Sequence, residues 1–329
     1  MVVDEAFRVA QSAEEAGDLV GAAAAFESYL DDADPLIAAT ARFHLGRVVW
    51  KRGQLDAALR LCEEARETAV KLQHRDLRAK VENAIGVLHV ARGEYEQARA
   101  AYAVALDLTE DIVTRAKIAL NLGVIANIQG RYDVARQQYA RSETLFSEAA
   151  DERGVALALH NIGMLHADRG EWDEADEAYY RALGLFESQG NKQMIANVLV
   201  NRSEVCYGRD RAHDAIANCD LALAMYAEVG DELGRGDALR WKGHGFRRLT
   251  RYAEAETVLA DAMRIAERAR ARLLQAEVLR EVGLVRRAMG RDAEATKTLQ
   301  RAQSIFRDLG AERETAELTN LLGPQVKQS

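Results

Sequence analysis

The sequence predicts an all-α fold made of stacked helix pairs, and three observations support this prediction. Alanine, leucine, glutamate and arginine are abundant, whereas the 329 residues include only 2 prolines, and such a composition favours helices. Hydrophobic residues make up 48% of the chain, which is enough to form a core. A pattern of glycines and alanines also recurs about every 40 residues, and this periodicity indicates a repeat architecture.

Each repeat carries two special positions seven residues apart. The second of them, the turn position, is occupied in successive repeats by Gly17, Gly53, Gly93, Gly130, Gly170, Asp210, Thr250 and Gly290. The first, the packing position, is occupied from the second repeat onward by Gly46, Gly86, Gly123, Gly163, Ser203, Gly243 and Gly283. Ile118, Leu122 and Ile125 surround one packing glycine at helical spacing. We therefore expect the packing residue inside a helix and the turn residue at its end, in the left-handed conformation.

The residues after each turn position predict a second helix. Five residues on comes an alanine: Ala22, Ala58, Ala98, Ala135, Ala175, Ala215, Ala255 or Ala295. Nine residues on comes a bulkier side chain: Phe26, Cys62, Tyr102, Tyr139, Tyr179, Cys219, Leu259 or Leu299. Small residues return after twelve, and steps of four and three draw one stripe along a helix. We expect the packing glycine to face the small residues of this stripe, so that the two helix backbones approach closely.

These positions resemble the tetratricopeptide repeat (TPR), in its long-repeat branch found in kinesin light chains, cell-polarity adaptors and bacterial peptide regulators. The resemblance implies an all-α, right-handed α-solenoid (superhelix) of about eight helix pairs with a C-terminal capping helix over 311–322. It also predicts one TPR superhelical domain over residues 1–329. The predicted repeats cover 3–35, 36–73, 74–110, 111–150, 151–190, 191–230, 231–270 and 271–309.

In that family the first helix of each pair lines the concave groove of the solenoid. The corresponding inner positions carry Phe43, Arg47, Lys80, Asn83 and Lys117 in the second to fourth repeats, among others. Asn121, Asn161 and Asn201 share one inner position at intervals of 40 residues. A carboxamide offers both donors and an acceptor to an extended backbone, and the resemblance implies a peptide-binding asparagine ladder. The alternative is that these asparagines bridge adjacent helices.

A basic segment provides a second set of candidate contacts. Between Arg235 and Arg291 there are 14 lysines and arginines against 7 acidic residues, although the whole chain has a net charge of −8. Four of these arginines fall on predicted inner positions: Arg240, Arg247, Arg280 and Arg287. Guanidinium groups bind carboxylates and phosphates, so this set indicates an acidic peptide, a C-terminal carboxylate or a phosphorylated segment. A solvated charged face is the competing interpretation. His160 and His244 are predicted in the groove beside these sets.

Several functional classes are disfavoured. No signal peptide or apolar run long enough to cross a membrane is recognisable, so the expected location is cytoplasmic. Cys62 and Cys219 stand nine residues after a turn position and Cys206 stands three residues after Ser203, and all three are expected in the core. No catalytic, metal-binding or phosphate-binding motif stands out. We therefore expect no enzyme, no cofactor and no metal.

The sequence thus predicts a protein-interaction module, an adaptor or regulatory sensor, that binds a partner peptide or protein segment in its groove. The predicted partner-binding residues are Lys117, Asn121, Asn161, His160, Asn201, Arg240, His244, Arg247, Arg280 and Arg287. Two alternatives stay open: a self-assembling structural scaffold, and a regulator that contacts nucleic acid through its Arg-rich C-terminal third. The acidic net charge disfavours the last of these.

Overall fold

The computed structural model describes residues 5–16 and 18–323, and within these ranges the chain forms 17 helices and no strand. The helices are α1 (Glu5–Ala16), α2 (Leu19–Glu27), α3 (Pro35–Lys51), α4 (Leu55–Lys71), α5 (Arg75–Ala91), α6 (Tyr95–Leu108), α7 (Ile112–Ile128), α8 (Tyr132–Glu148), α9 (Glu152–Asp168), α10 (Trp172–Ser188), α11 (Lys192–Gly208), α12 (Ala212–Val229), α13 (Glu232–Arg248), α14 (Tyr252–Arg268), α15 (Arg272–Ala288), α16 (Asp292–Asp308) and α17 (Glu312–Leu322). None of them is long and apolar enough to cross a lipid bilayer.

The helices alternate between two roles, which we name A (odd numbers) and B (even numbers). Each A helix packs on the B helix that follows it, as in α3 with α4 or α15 with α16, and successive A helices also touch, as in α5 with α7 or α13 with α15. Eight pairs are followed by α17, which packs on α16. This arrangement confirms the predicted all-α fold of stacked helix pairs, with α17 as the C-terminal helix.

The chain divides into two compact units, unit 1 (Met1–Ala158) and unit 2 (Leu159–Ser329), with the boundary inside α9. We call the surface formed by α1, α3, α5 and α7 the A face of unit 1. The A face of unit 2 comprises α11, α13, α15, α17 and the part of α9 from Leu159 onward. The single domain and the repeat boundaries drawn from the sequence stay predictions.

The packing glycines lie under large side chains of the B helix. A Cβ atom built on Gly123 would lie 2.5 Å from Cε1 of Tyr139, and one on Gly163 would lie 2.6 Å from the Tyr179 ring. Gly243 and Gly283 meet Leu259 and Leu299 in the same way. The prediction that these glycines face the small residues of the stripe was therefore wrong in this detail. They make room for the bulky residue sixteen positions later, which is then fully buried.

The turn positions adopt the predicted left-handed backbone. Gly53 has φ +79°, its amide donates to the Trp50 carbonyl (2.7 Å), and the Gln54 amide donates to the Val49 carbonyl (2.9 Å). These bonds satisfy the last carbonyls of α3. Asp210 and Thr250 adopt φ values of 59° in the same place, without a glycine. Gly17, the first turn residue predicted, lies outside the described residues.

Short polar side chains start most A helices. Asp34, Asp111 and Asp231 each accept a hydrogen bond from a backbone amide in the first turn of the helix that follows, at 2.8 Å. Asn191 caps α11 through the Met194 amide at 3.2 Å. Such caps satisfy amides that have no partner within the helix. They fix where each A helix begins and therefore which of its residues reach the A face.

The three cysteines lie in the core, as expected, with exposed fractions of 1% for Cys62, 7% for Cys206 and 0% for Cys219. Burial raises the pKa of the Cys62 and Cys219 thiols to about 12. Thiols with such high pKa values are poor nucleophiles, so these cysteines act as packing groups.

Candidate functional site

The A face of unit 1 contains a cavity of about 440 Å³. Side chains from all four A helices of this face line it, from Gln11 on α1 to Lys117 on α7. Its apolar wall comes from Phe43 and Trp50 on α3 and from Val87 and Leu88 on α5. Phe43 and Leu88 are buried, whereas Trp50 keeps 37% of its surface exposed. One wall of the cavity is therefore apolar and buried, and the Trp50 ring beside it is accessible to solvent.

Three cations border this cavity, but they differ in how far they are neutralised. Arg47 pairs with the buried Glu14 carboxylate (3.1 Å), and Lys80 pairs with Asp76 one turn earlier on the exposed face of α5 (2.8 Å). Lys117 forms no ion pair with any described residue. Partial burial and the positive charge of Arg47 lower the pKa of the Lys117 amine, against the raising effect of Asp151 and Asp111. Lys117 is thus the cation with spare binding capacity.

A buried carboxamide completes the polar part of the cavity. Asn83 on α5 lines it, and its Oδ1 atom is buried without a hydrogen bond from any described residue. A buried acceptor that stays unpaired costs free energy, about 1–3 kcal/mol in proteins. The Oδ1 atom of Asn83 is therefore an acceptor that no described residue satisfies.

Glu14 holds the N-terminal helix against this cavity. Its carboxylate contacts Nδ1 of His44 at 2.9 Å, Arg47 at 3.1 Å and Lys51 at 3.6 Å. Burial raises the pKa of Glu14, but the hydrogen bond from His44 and the charges of Arg47 and Lys51 outweigh it and lower the pKa overall. Three basic residues of α3 thus anchor α1, which contributes Gln11 to the cavity.

In unit 2 the predicted arginines are already paired within the protein. Arg240 is only 5% exposed and donates to Asp237 from Nε (2.8 Å) and Nη2 (2.6 Å). It also lies 3.6 Å from Glu277 and 4.4 Å from the Trp241 ring centre. Burial alone would lower the pKa of Arg240, but the Asp237 and Glu277 carboxylates raise it overall. Arg240 therefore acts as an internal cation that joins α13 to α15.

The other three predicted arginines also have partners. Arg247 contacts Glu281 at 3.2 Å, Arg280 contacts Glu317 of α17 at 3.4 Å, and Arg287 donates to the Leu321 carbonyl at 3.1 Å. Nδ1 of His244 lies 3.3 Å from Glu281 as well. Burial would raise the pKa of Glu281, but the His244 hydrogen bond and the charges of His244 and Arg247 lower it to about 2. All four predicted arginines therefore make contacts within the A face of unit 2, and three of them pair with a carboxylate of the next A helix.

The predicted asparagines are divided between the two units. Asn121 lies half-buried on α7 in unit 1, whereas Asn161 and Asn201 lie half-buried on the A face of unit 2. Nδ2 of Asn201 donates to Nε2 of His160 at 3.2 Å. Burial lowers the pKa of His160 to about 4, so the ring is neutral at pH 7. Because its Nε2 accepts, the ring proton sits on Nδ1, which is buried without a partner among the described residues.

The sequence prediction selected Lys117 from the unit 1 cavity but not Arg47, Lys80 or Asn83. All of them stand on inner positions, so the signal was present in the sequence. The prediction favoured arginines of the C-terminal third instead, because basic residues outnumber acidic ones between Arg235 and Arg291. Two of the selected arginines are instead paired with acids 34 and 37 positions later, in Arg247–Glu281 and Arg280–Glu317.

The repeats are similar to those of a known protein family. The tetratricopeptide repeat family model matches residues 36–111, 114–188 and 235–308, which is more than half of the chain. A search of curated protein sequences gave no significant match.

Among solved structures, the Rap protein complexed with Competence and Sporulation Factor has a TM-score of 0.69 at 14% identity, covering 96% of this chain and 95% of that one. Aspartyl phosphate phosphatase F from Bacillus subtilis has a TM-score of 0.58 at 12% identity, over 100% and 96% of the two chains. A signal transduction ATPase with numerous domains (STAND protein) from Pyrococcus horikoshii, which has a tetratricopeptide repeat sensor, has a TM-score of 0.65 at 13% identity. The match covers 94% of this chain and 52% of that one. At these identities the likeness shows the fold alone.

Proposed function

The chain belongs to the tetratricopeptide repeat family, and from this premise we propose that it is an adaptor or regulatory sensor that binds an extended segment of a partner protein. The observation that carries the proposal is the cavity on the A face of unit 1. It combines an apolar wall, an unpaired lysine and an unpaired buried acceptor, and such combinations are typical of binding sites. A cytoplasmic location belongs to the same proposal.

The similar structures support this proposal at the level of fold. The Rap protein was solved in complex with Competence and Sporulation Factor, so this architecture accommodates a binding partner in that protein. The repeats here form a similar fold, and at 14% identity the ligand must be sought experimentally.

Filling the cavity tests the proposal. Val87 lines the cavity and is half-buried, so Val87→Trp should occlude it, whereas Val134 on the B helix α8 is 41% exposed and Val134→Trp should leave it open. A phage-displayed library of random dodecapeptides is selected against the wild-type protein, and the dissociation constants of the best peptides are measured by fluorescence anisotropy. We expect Val87→Trp to weaken binding more than tenfold and Val134→Trp to leave it unchanged.

Two results would contradict this proposal. The first is a selection that enriches no peptide above background. The second is an equal dissociation constant for the wild-type protein and Val87→Trp, with both variants folded by circular dichroism.

We further propose that the asparagines contact the backbone of a bound segment, with Asn161 and Asn201 acting on the A face of unit 2 and Asn121 on that of unit 1. The unpaired Nδ1 of His160 beside Asn201 supports a contact there, because a bound carbonyl would satisfy it. A second selection against the Val87→Trp variant, in which the unit 1 cavity is filled, should enrich peptides that bind unit 2, and Asn161→Ala and Asn201→Ala should each weaken their binding about tenfold. Affinities that stay within measurement error in both variants would rule out the ladder in unit 2.

A further inference from the structure

The A faces of the two units carry opposite charges at equivalent positions. Six residues before the packing position, unit 1 has Lys80 and Lys117, whereas unit 2 has Asp237 and Glu277. One residue after it, unit 1 has Arg47 in the second repeat and unit 2 has Glu204 in the sixth. The A face of unit 1 therefore attracts negative charge through the very positions that are acidic in unit 2.

Within unit 1 this attraction converges on Lys117. Glu14 pairs with Arg47 and Asp76 pairs with Lys80. Lys117 forms no ion pair within 4 Å among the described residues, although Asp111, which lines the same cavity, and Asp151 lie near enough to raise its pKa. Arg47 lies close enough to Lys117 to lower its pKa. A carboxylate placed beside Lys117 would relieve this repulsion as well as gain a charge-assisted hydrogen bond.

The unpaired Oδ1 of Asn83 narrows the class of ligand further. A bare anion such as acetate has no donor for this acceptor, whereas a peptide has a backbone N–H at nearly every residue. The wall formed by Phe43, Trp50 and Val87 adds a surface that a large apolar side chain would cover. The ligand must therefore bring a carboxylate, an N–H group and an apolar side chain together.

The extent of the cavity favours an internal segment over a chain end. Its lining residues come from four successive A helices, from Gln11 on α1 to Lys117 on α7, so the site continues along the face. We infer that the unit 1 cavity binds an extended peptide segment in which an aspartate or glutamate stands beside a large apolar residue. The acidic side chain meets Lys117, a backbone N–H meets Asn83, and the apolar side chain lies on Phe43 and Val87. This inference rests on the function proposed above.

The selected dodecapeptides test the charge requirement. We expect them to be enriched in aspartate or glutamate next to leucine, isoleucine, phenylalanine or tryptophan. Lys117→Ala should weaken the best peptide about tenfold, whereas Lys71→Ala, an exposed lysine on the B helix α4 of the same unit, should not change its affinity. Raising the salt concentration should weaken binding more in the wild-type protein than in Lys117→Ala. Salt screens the attraction between Lys117 and the acidic side chain of the peptide, and the variant lacks this attraction.

The donor requirement is tested by methylating each backbone nitrogen of the best peptide in turn. One methylated position should lose affinity in the wild-type protein but lose none in Asn83→Ala, since that variant no longer has the acceptor. A free C-terminal carboxylate and its amide should bind equally well, as expected for an internal segment.

The outcomes separate this inference from the function on which it rests. The selected peptides could be neutral or basic and still bind the wild-type protein but not Val87→Trp. This result would overturn the inference that the ligand is acidic, but it would leave the proposed interaction function intact. Equal binding to the wild-type protein and to Lys117→Ala would do the same. Peptides that bind only with a free C-terminus would replace the internal segment by a chain end.

Discussion

Replacing Glu281 by glutamine is expected to lower the free energy of unfolding by about 3 kcal/mol at pH 7. Glu281 is 3% exposed, and its two oxygens face Nδ1 of His244 (3.3 Å) and Nε of Arg247 (3.2 Å). Removing one partner of a buried pair leaves the other charge poorly compensated, at a cost of about 3–5 kcal/mol. Because the contact joins α13 to α15, the loss should appear in urea unfolding curves of the whole protein.

The loss of stability caused by Glu281→Gln should be smaller at low pH than at pH 7. The folded-state pKa of Glu281 is about 2, below the ordinary value of 4.5, so the folded state favours the ionised form. The stabilisation is therefore complete above pH 4.5 and is lost as the pH falls from 4.5 toward 2. The wild-type protein and Glu281→Gln should become similar in stability near pH 2.

Glu254→Gln is the matched control, because Glu254 in the first turn of α14 forms an exposed pair with Arg251, the residue before that helix. Such surface pairs contribute little to stability because solvent screens them, so this variant should unfold nearly as the wild type does. A loss below 1 kcal/mol in Glu281→Gln at pH 7, or an unchanged loss near pH 2, would show that the buried network does not stabilise unit 2 in this way.

Replacing glycine by alanine at two positions should change the free energy of unfolding in opposite directions. Gly123→Ala is expected to lower the free energy of unfolding by about 1–2 kcal/mol, because its Cβ atom would lie 2.5 Å from the buried Tyr139 ring and overpacking costs about 1–3 kcal/mol. Gly184→Ala, inside α10, is expected to raise it by about 1 kcal/mol. A Cβ atom there meets nothing within 4 Å, so only the helix propensity of alanine acts.

Urea unfolding monitored by circular dichroism measures both changes. Gly163→Ala repeats the first test against Tyr179, where the Cβ atom would lie at 2.6 Å. If Gly123→Ala and Gly163→Ala were as stable as the wild type or more so, the aromatic rings would have to move aside at little cost. The glycines would then not be required by packing.

The fold was predictable because its determinants recur at fixed spacing. A glycine, its turn residue and a bulky side chain return in register, so a chance match at one repeat is corrected by the others. What the spacing did not show is which side chain covers the glycine, because the small and bulky residues lie on one stripe of the B helix. The left-handed backbone at Asp210 and Thr250 was predictable only from their register, not from their residue types.

The site was less predictable, since charges are cancelled by residues distant in sequence. Arg240 and Arg280 stand on inner positions like those of ligand-binding residues, but Glu277 and Glu317 reach them from the next A helix. Lys117 was selected from its inner position, but the sequence did not show that it forms no ion pair, whereas Arg47 and Lys80 do. Only the three-dimensional structure shows which cations are left without partners.

The match between each packing residue and the side chain sixteen positions later has a consequence for engineering and for how such arrays change. Where the A helix carries Ser203 instead of glycine, the B helix carries Cys219 instead of tyrosine, with Oγ and Sγ only 3.4 Å apart. A whole hairpin can thus be transplanted or duplicated as a self-consistent cassette. A chimera that joins α11, which carries Ser203, to α8, which carries Tyr139, would place the serine under a tyrosine ring.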